Sequence, residues 1–158
     1  MVNVEKAWDA LREVNDPELP TVSIVDLGIV RDVRPRGESV EVDITPTYSG
    51  CPAQEVIEQE AKGALGAAGF ANPTVNTVLS PAWSTDWITP EGRAALKALG
   101  IAPPQPTASL VSLPVALVNC PLCGSDETER LSEFGSTACK ALYRCRSCLE
   151  PFDYFKPH

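Results

Sequence analysis

The chain has 158 residues, 44% of them hydrophobic, and a formal net charge of −8, which suits one ordinary domain or one domain with a small module attached. Residues 1–100 carry 8 Lys and Arg against 15 Asp and Glu, and residues 101–158 carry 5 against 6, a balance that argues against nucleic acid as a partner, because phosphate-backbone binding needs clustered positive charge. No apolar run approaches the roughly 18 residues of a membrane-spanning helix, and Met1-Val2-Asn3-Val4-Glu5-Lys6 lacks the basic-then-apolar pattern of an export signal, so the expected location is cytoplasmic, without a membrane partner and with thiols reduced and open to metals.

Val4, Ala7, Trp8, Leu11 and Val14 recur at helical spacing and predict an amphipathic helix over 3–14, with Asn3 as its cap. Asn15-Asp16-Pro17 ends it, since Pro17 disfavours helix at Asp16. A short apolar segment follows at 24–28. Residues 29–34 and 39–45 then alternate apolar and polar, with Val40, Val42 and Ile44 on one face, and Arg36-Gly37-Glu38 between them predicts a hairpin. Cys51-Pro52 leads into a predicted helix over 53–68 with Ile57, Ala61, Ala64, Leu65 and Ala68 inward and Gly69 at its end. Gly63 and Gly66 weaken that helix, a cost offset if they permit close packing on the sheet. A third strand is predicted over 73–79 and a last helix over 90–99, with Pro90 in its first turn.

The order α-β-β-α-β-α predicts a small α+β domain over residues 1–100, with helices packed on a small β-sheet. Residues 101–114, with Pro103, Pro104, Pro106 and Pro114, read as a stiff extended linker. Residues 115–158 read as a separate four-cysteine zinc-ribbon module, too small to sustain itself on apolar burial alone.

Cys120-x2-Cys123 and Cys145-x2-Cys148 carry that reading. Each pair can place two thiolates on one metal ion, and two pairs complete a tetrahedral all-sulfur site. The 21 residues between them slightly exceed the usual ribbon spacing. Zinc is the expected structural ion, with mononuclear iron as the alternative, because Cys120-Pro121-Leu122-Cys123-Gly124 also suits a rubredoxin-like knuckle. Cys139 is left over, to pack inside the ribbon or to approach a partner.

Cys51 is the second feature. With Pro52 at the first helical position its sulfur would sit beside a helix N-terminus, where free amides stabilise a thiolate. The polar residues before it, Thr45 to Gly50, suggest access. Such a thiol suits a nucleophile, a redox sensor or a transient ligand for iron or an iron–sulfur unit, although a buried structural cysteine is equally compatible with the sequence. No base can be named for cysteine hydrolase chemistry, because the one histidine is His158, the last residue. Asp16, Glu18 and Asp26 are candidate oxygen ligands near Cys51, or else caps and turn formers. Trp83 and Trp87 are expected to cover the core.

Asp16-Pro17-Glu18, then Ile24-Val25-Asp26-Leu27-Gly28-Ile29-Val30, then Gly50-Cys51-Pro52 resemble the MIP18-like (DUF59) family, which is associated with iron–sulfur cluster assembly and delivery. The resemblance implies Cys51 as the reactive cysteine and Asp16, Glu18 and Asp26 as the acidic motif residues. The remainder, from Ser80-Pro81-Ala82-Trp83 to Phe134-Gly135-Ser136-Thr137-Ala138-Cys139, is similar to the PaaD family of the phenylacetyl-CoA epoxidase system. That resemblance implies an accessory or maturation role in aerobic phenylacetate degradation rather than catalysis by this chain alone. It also implies oxygenase and reductase subunits as partners, with iron–sulfur assembly machinery as a further one. The paired Glu-x-x-His helices of a diiron oxygenase are missing from the sequence, as is a nucleotide-binding glycine loop. An electron-transfer or stabilising component with iron in the four-cysteine site is the alternative, and an independent thiol enzyme the third reading.

Overall fold

The computed structural model describes residues 2–48, 50–107 and 118–158, so residues 108–114 of the expected linker and 115–117 of the expected ribbon lie outside the described residues. The chain divides into two compact units, Met1–Gly92 and Arg93–His158.

The first unit opens with α1 (Val4–Arg12), whose apolar stripe buries Ala7 and Leu11. The Asn3 side chain accepts the Lys6 amide at 3.2 Å, so the expected cap is formed. The chain then makes a two-stranded ladder, β1 (Asn15–Asp16) against β2 (Leu19–Ser23), where the sequence suggested only a turn. Asp16 Oδ1 accepts the Glu18 amide at 2.7 Å and closes the tight bend between them.

A three-stranded sheet forms the centre of this unit, in the order β3–β4–β5. β3 (Val30–Arg36) runs antiparallel to β4 (Ser39–Ile44), and Arg36 faces Ser39 across Gly37 and Glu38. Gly37 has φ 62°, as a two-residue hairpin turn requires. β5 (Thr74–Thr77) lies parallel to β4, and α2 (Gln54–Ala67) supplies the crossover that parallel pairing needs. Val33, Val40, Val42 and Ile44 are buried, as are Ile57, Ala61 and Leu65 of α2. α1 packs on α2 and β3, and α2 on β5. A Cβ added at Gly63 or Gly66 would meet nothing within 4 Å, so these glycines do not serve close packing as expected; they lie on the helix's exposed side. Past the cap Ala68, Gly69 (φ 99°) donates to Gly66 and Phe70 to Leu65, which satisfies carbonyls of the last turn.

Trp83 is 5% exposed and donates its indole N–H to Leu27 O at 2.9 Å, so it covers the core as the sequence suggested. Gly28 is fitted to the second tryptophan. It has φ 74°, and a Cβ there would stand 2.7 Å from Trp87 Cβ and 2.8 Å from Trp87 O. Gly28→Ala therefore combines left-handed strain with overpacking, and urea unfolding of the first unit is expected to show a loss of about 3 kcal/mol.

α3 (Pro90–Ala98) bridges the two units in sequence. The segment read as a linker does not begin as a tether. β6 (Ile101–Ala102) pairs in parallel with β9 (Pro151–Phe155), because two buried apolar residues gain ladder hydrogen bonds there. The sheet runs β6–β9–β8–β7, with β7 (Thr128–Ser132) and β8 (Lys140–Cys145) antiparallel. Its core holds Ala102, Val118, Cys120, Cys145, Phe152 and Tyr154, with Tyr143 packed against them. The fold is thus α+β followed by a small β module. No helix among the described residues is long and apolar enough to cross a membrane.

Candidate functional site

Two local turns of one design bring four sulfurs together in the second unit. Cys120 N–H donates to Ser125 O at 2.8 Å, and Cys145 N–H to Glu150 O at 3.0 Å. Cys120 Sγ accepts the Leu122 and Cys123 amides at 3.4 and 3.5 Å, and Cys145 Sγ accepts the Cys148 amide at 3.4 Å. The residue after each pair, Gly124 or Leu149, takes positive φ (78° and 68°) to turn the chain back. The Ser125 and Ser147 hydroxyls, 2.8 Å apart, tie the turns to each other.

Cys120 Sγ lies 3.8 Å from Cys148 Sγ, and Cys123 Sγ 3.5 Å from Cys145 Sγ; all four sulfurs fall within 4.8 Å of one another. Four ligands at about 2.3 Å from zinc in a tetrahedron have edges of about 3.8 Å, so the donor set fits the ion in number, chemistry and spread. The Cys148 amide foremost draws the Cys145 thiol down to about 6, against burial and with help from the Ser147 amide and the neighbouring sulfurs. The Glu150 amide pulls the Cys148 thiol down too, but burial and the sulfurs of Cys145, Cys123 and Cys120 push it up to about 12. Crowded thiols share protons in this way, and a dication that replaces the protons lets all four be thiolates.

The long spacing between the pairs has a structural cause. The strands β7 and β8 are inserted between the two turns, and Arg146 N–H returns to Glu127 O at 2.8 Å. Cys139 precedes β8, whereas Cys145 ends it. Six residues of strand put them on the order of 20 Å apart, which keeps Cys139 out of the quartet. Its side chain is buried, with the Thr137 hydroxyl 3.0 Å from its sulfur. No disulfide joins any of the six cysteines.

Cys51 is half-buried at the end of the loop that follows β4. Its N–H donates to Tyr48 O at 3.2 Å, its carbonyl accepts the Gln54 amide at 3.2 Å, and Thr47 Oγ1 stands 4.0 Å from its sulfur. Pro52 is not the first helical residue: Pro52 and Ala53 form a turn, and α2 starts at Gln54 with no side-chain cap. The bond from Gln54 back to Cys51 takes up an amide there and shifts the helix start. Gln54, which the sequence did not single out, donates to Thr77 Oγ1 at 3.0 Å, while its buried Oε1 has no hydrogen-bond partner among the described residues.

Two of the acidic candidates, Asp16 and Asp26, hold loops. Asp16 is 6% exposed in its tight bend, and Glu18 is half-buried beside it. Asp26 accepts from the Thr89 hydroxyl at 3.0 Å and, through its main-chain carbonyl, from the Thr89 amide at 2.9 Å. Among the described residues the ribbon quartet gathers its donor atoms into a group that could hold an ion; Cys51, Asp16, Glu18 and Asp26 do not form such a group.

Residues 5–78 match the family model "Iron-sulfur cluster assembly protein", and residues 104–156 match "PaaD zinc beta ribbon domain". The second match and the cluster of four sulfurs agree on a structural zinc site in this module. In the first unit, a DUF59 domain of unknown function from Bacillus anthracis superposes with TM-score 0.55 at 32% identity, covering 59% of this chain and 90% of that one. The "Fe-S protein maturation auxiliary factor YitW" of Bacillus subtilis is 38% identical over 61% of this chain and 93% of its own length. An Escherichia coli protein described as a component of a "Putative 1,2-phenylacetyl-CoA epoxidase" is 50% identical over 97% of this chain and 92% of its own. With both modules matched in order and half the residues shared along nearly the whole length, the chain belongs to the PaaD family of phenylacetyl-CoA epoxidase components.

Proposed function

We propose that this chain is an accessory maturation factor of the phenylacetyl-CoA epoxidase system in aerobic phenylacetate degradation. Cys51 takes up iron or an iron–sulfur unit as cargo and passes it to the oxygenase or its reductase, and the zinc ribbon is the rigid module that docks the client. The observation that carries this reading is the setting of Cys51. It is a half-buried thiol in a loop, within the segment that matches an iron–sulfur assembly family, and no second cluster of donor groups surrounds it among the described residues.

One soft donor binds iron weakly enough to release it, whereas a full protein cage would keep it. On uptake the Cys51 thiol gives its proton to solvent, and its thiolate displaces one ligand of the incoming iron to form one iron–sulfur bond. On delivery that bond is exchanged for a ligand of the client, with no electron required. Asp16 and Asp26 shape the loops of this unit, and iron–sulfur assembly machinery is the proposed source of the cargo.

The test is co-expression of oxygenase and reductase with and without this chain, followed by iron and sulfide measurement on the purified partners. Partners made without it are expected to be iron-poor and slow, and fully loaded partners are expected to turn over without it. A stoichiometric requirement for this chain by fully loaded partners would overturn the maturation reading and favour a role inside the working complex.

A further inference from the structure

We propose that Arg31, laid over Trp87 at the Cys51 end of the three-stranded sheet, is an anion-recognition group for the iron–sulfur cargo; this rests on the reading of Cys51 above. Val30 pairs with Ile44 and Asp32 with Asp43, so Arg31 is an extra residue in a bulge where β3 begins. A bulge takes its residue out of the ladder and re-aims the side chain. Ile29 O accepts the Thr45 amide at 2.9 Å, which ties this end of β3 to the first residue of the loop that carries Cys51. Two residues further along that loop is Thr47, whose hydroxyl stands 4.0 Å from the Cys51 sulfur.

Arg31 is held but electrically unspent. Its guanidinium carbon lies 3.5 Å from the Trp87 ring centroid, and Trp87 in turn is seated against Gly28. Stacking fixes the plane of the guanidinium and leaves its N–H edges open to an acceptor. The other arginines of the sheet are engaged: Arg34 pairs with Asp32, Glu41 and Asp43, and Arg36 donates to Thr74. Among the described residues Arg31 has no carboxylate partner, although its unit is strongly acidic. Keeping a cation unpaired in such a unit favours an anion from outside. Once small-molecule thiolates fill the iron positions that Cys51 leaves open, their charge outweighs that of the cationic core and the unit is anionic; its sulfurs accept hydrogen bonds that tune its stability.

The test uses the full, zinc-loaded chain, given ferric iron, sulfide and a small-molecule thiol anaerobically, and follows loss of the bound unit to a chelator at low and high salt. Arg31→Met keeps an apolar stem over Trp87 but removes the charge, and is expected to release iron about tenfold faster with a weaker salt dependence. Arg31→Lys is expected to fall between it and the unaltered chain. Equal release by Arg31→Met overturns the inference. So does salt-independent release from the unaltered chain, a readout that needs no variant to fold. Cys51→Ser separates the two ideas: if it retains iron, the reading of Cys51 fails, whereas if it loses iron while Arg31→Met keeps it, only Arg31 is excluded.

Discussion

Removal of zinc is expected to unfold the second unit while the first keeps its structure. Cys120 and Cys145 are 1% and 0% exposed and are themselves part of the small apolar core of the ribbon, so the metal site and the core are one object. Structural zinc contributes about 10–16 kcal/mol of apparent binding energy in modules of this kind, more than the whole stability of most small domains. Chelation of the full chain should therefore abolish one of two transitions in chemical unfolding and open the region after residue 118 to proteases. Cys145→Ala should act in the same direction. Acid should do so as well: four thiols must lose their protons to bind the ion, so the unfolded chain binds more protons and stability falls as pH falls. A metal-free chain with both transitions intact would contradict this account of the ribbon.

The second large effect is functional. Cys51→Ser changes the side chain by one atom at a half-buried position, so unfolding free energy should move by no more than about 0.5 kcal/mol. A hydroxyl is a poor ligand for soft metal centres, however. Co-expressed with the variant, the oxygenase or reductase should be as poor in iron as when this chain is omitted, while the variant itself carries its full zinc. Loss of zinc as well would point to misfolding rather than to chemistry at Cys51. Full client activation by the serine variant would remove Cys51 from the mechanism.

Much of the fold was legible in the chain because it rests on local physics. The 3.6-residue apolar period and the Asn3 cap specify α1, and Gly37 between alternating strands specifies the hairpin. The two Cys-x2-Cys pairs announce the metal turns, since each turn is closed by amides within five residues of its first cysteine. The candidate thiol was legible too, through the ordered motif around Cys51. Less legible was where α2 begins: Pro52 is a good first helical residue in general, but the bond from Gln54 to Cys51 makes it part of a preceding turn.

What the sequence by itself determined is therefore the inventory: an acidic α+β unit, a thiol in a loop before a helix, and four sulfurs spaced for one ion. The tertiary structure alone decided that Ile101 and Ala102 join the sheet of the ribbon, that Asp26 is engaged with Thr89, and that Arg31 lies on Trp87. Each of those contacts joins residues more than 50 positions apart. Periodicity, caps and turn chemistry act over one or two turns of chain and carry no record of which distant surface will arrive. Burial selects those partners only when the whole unit closes.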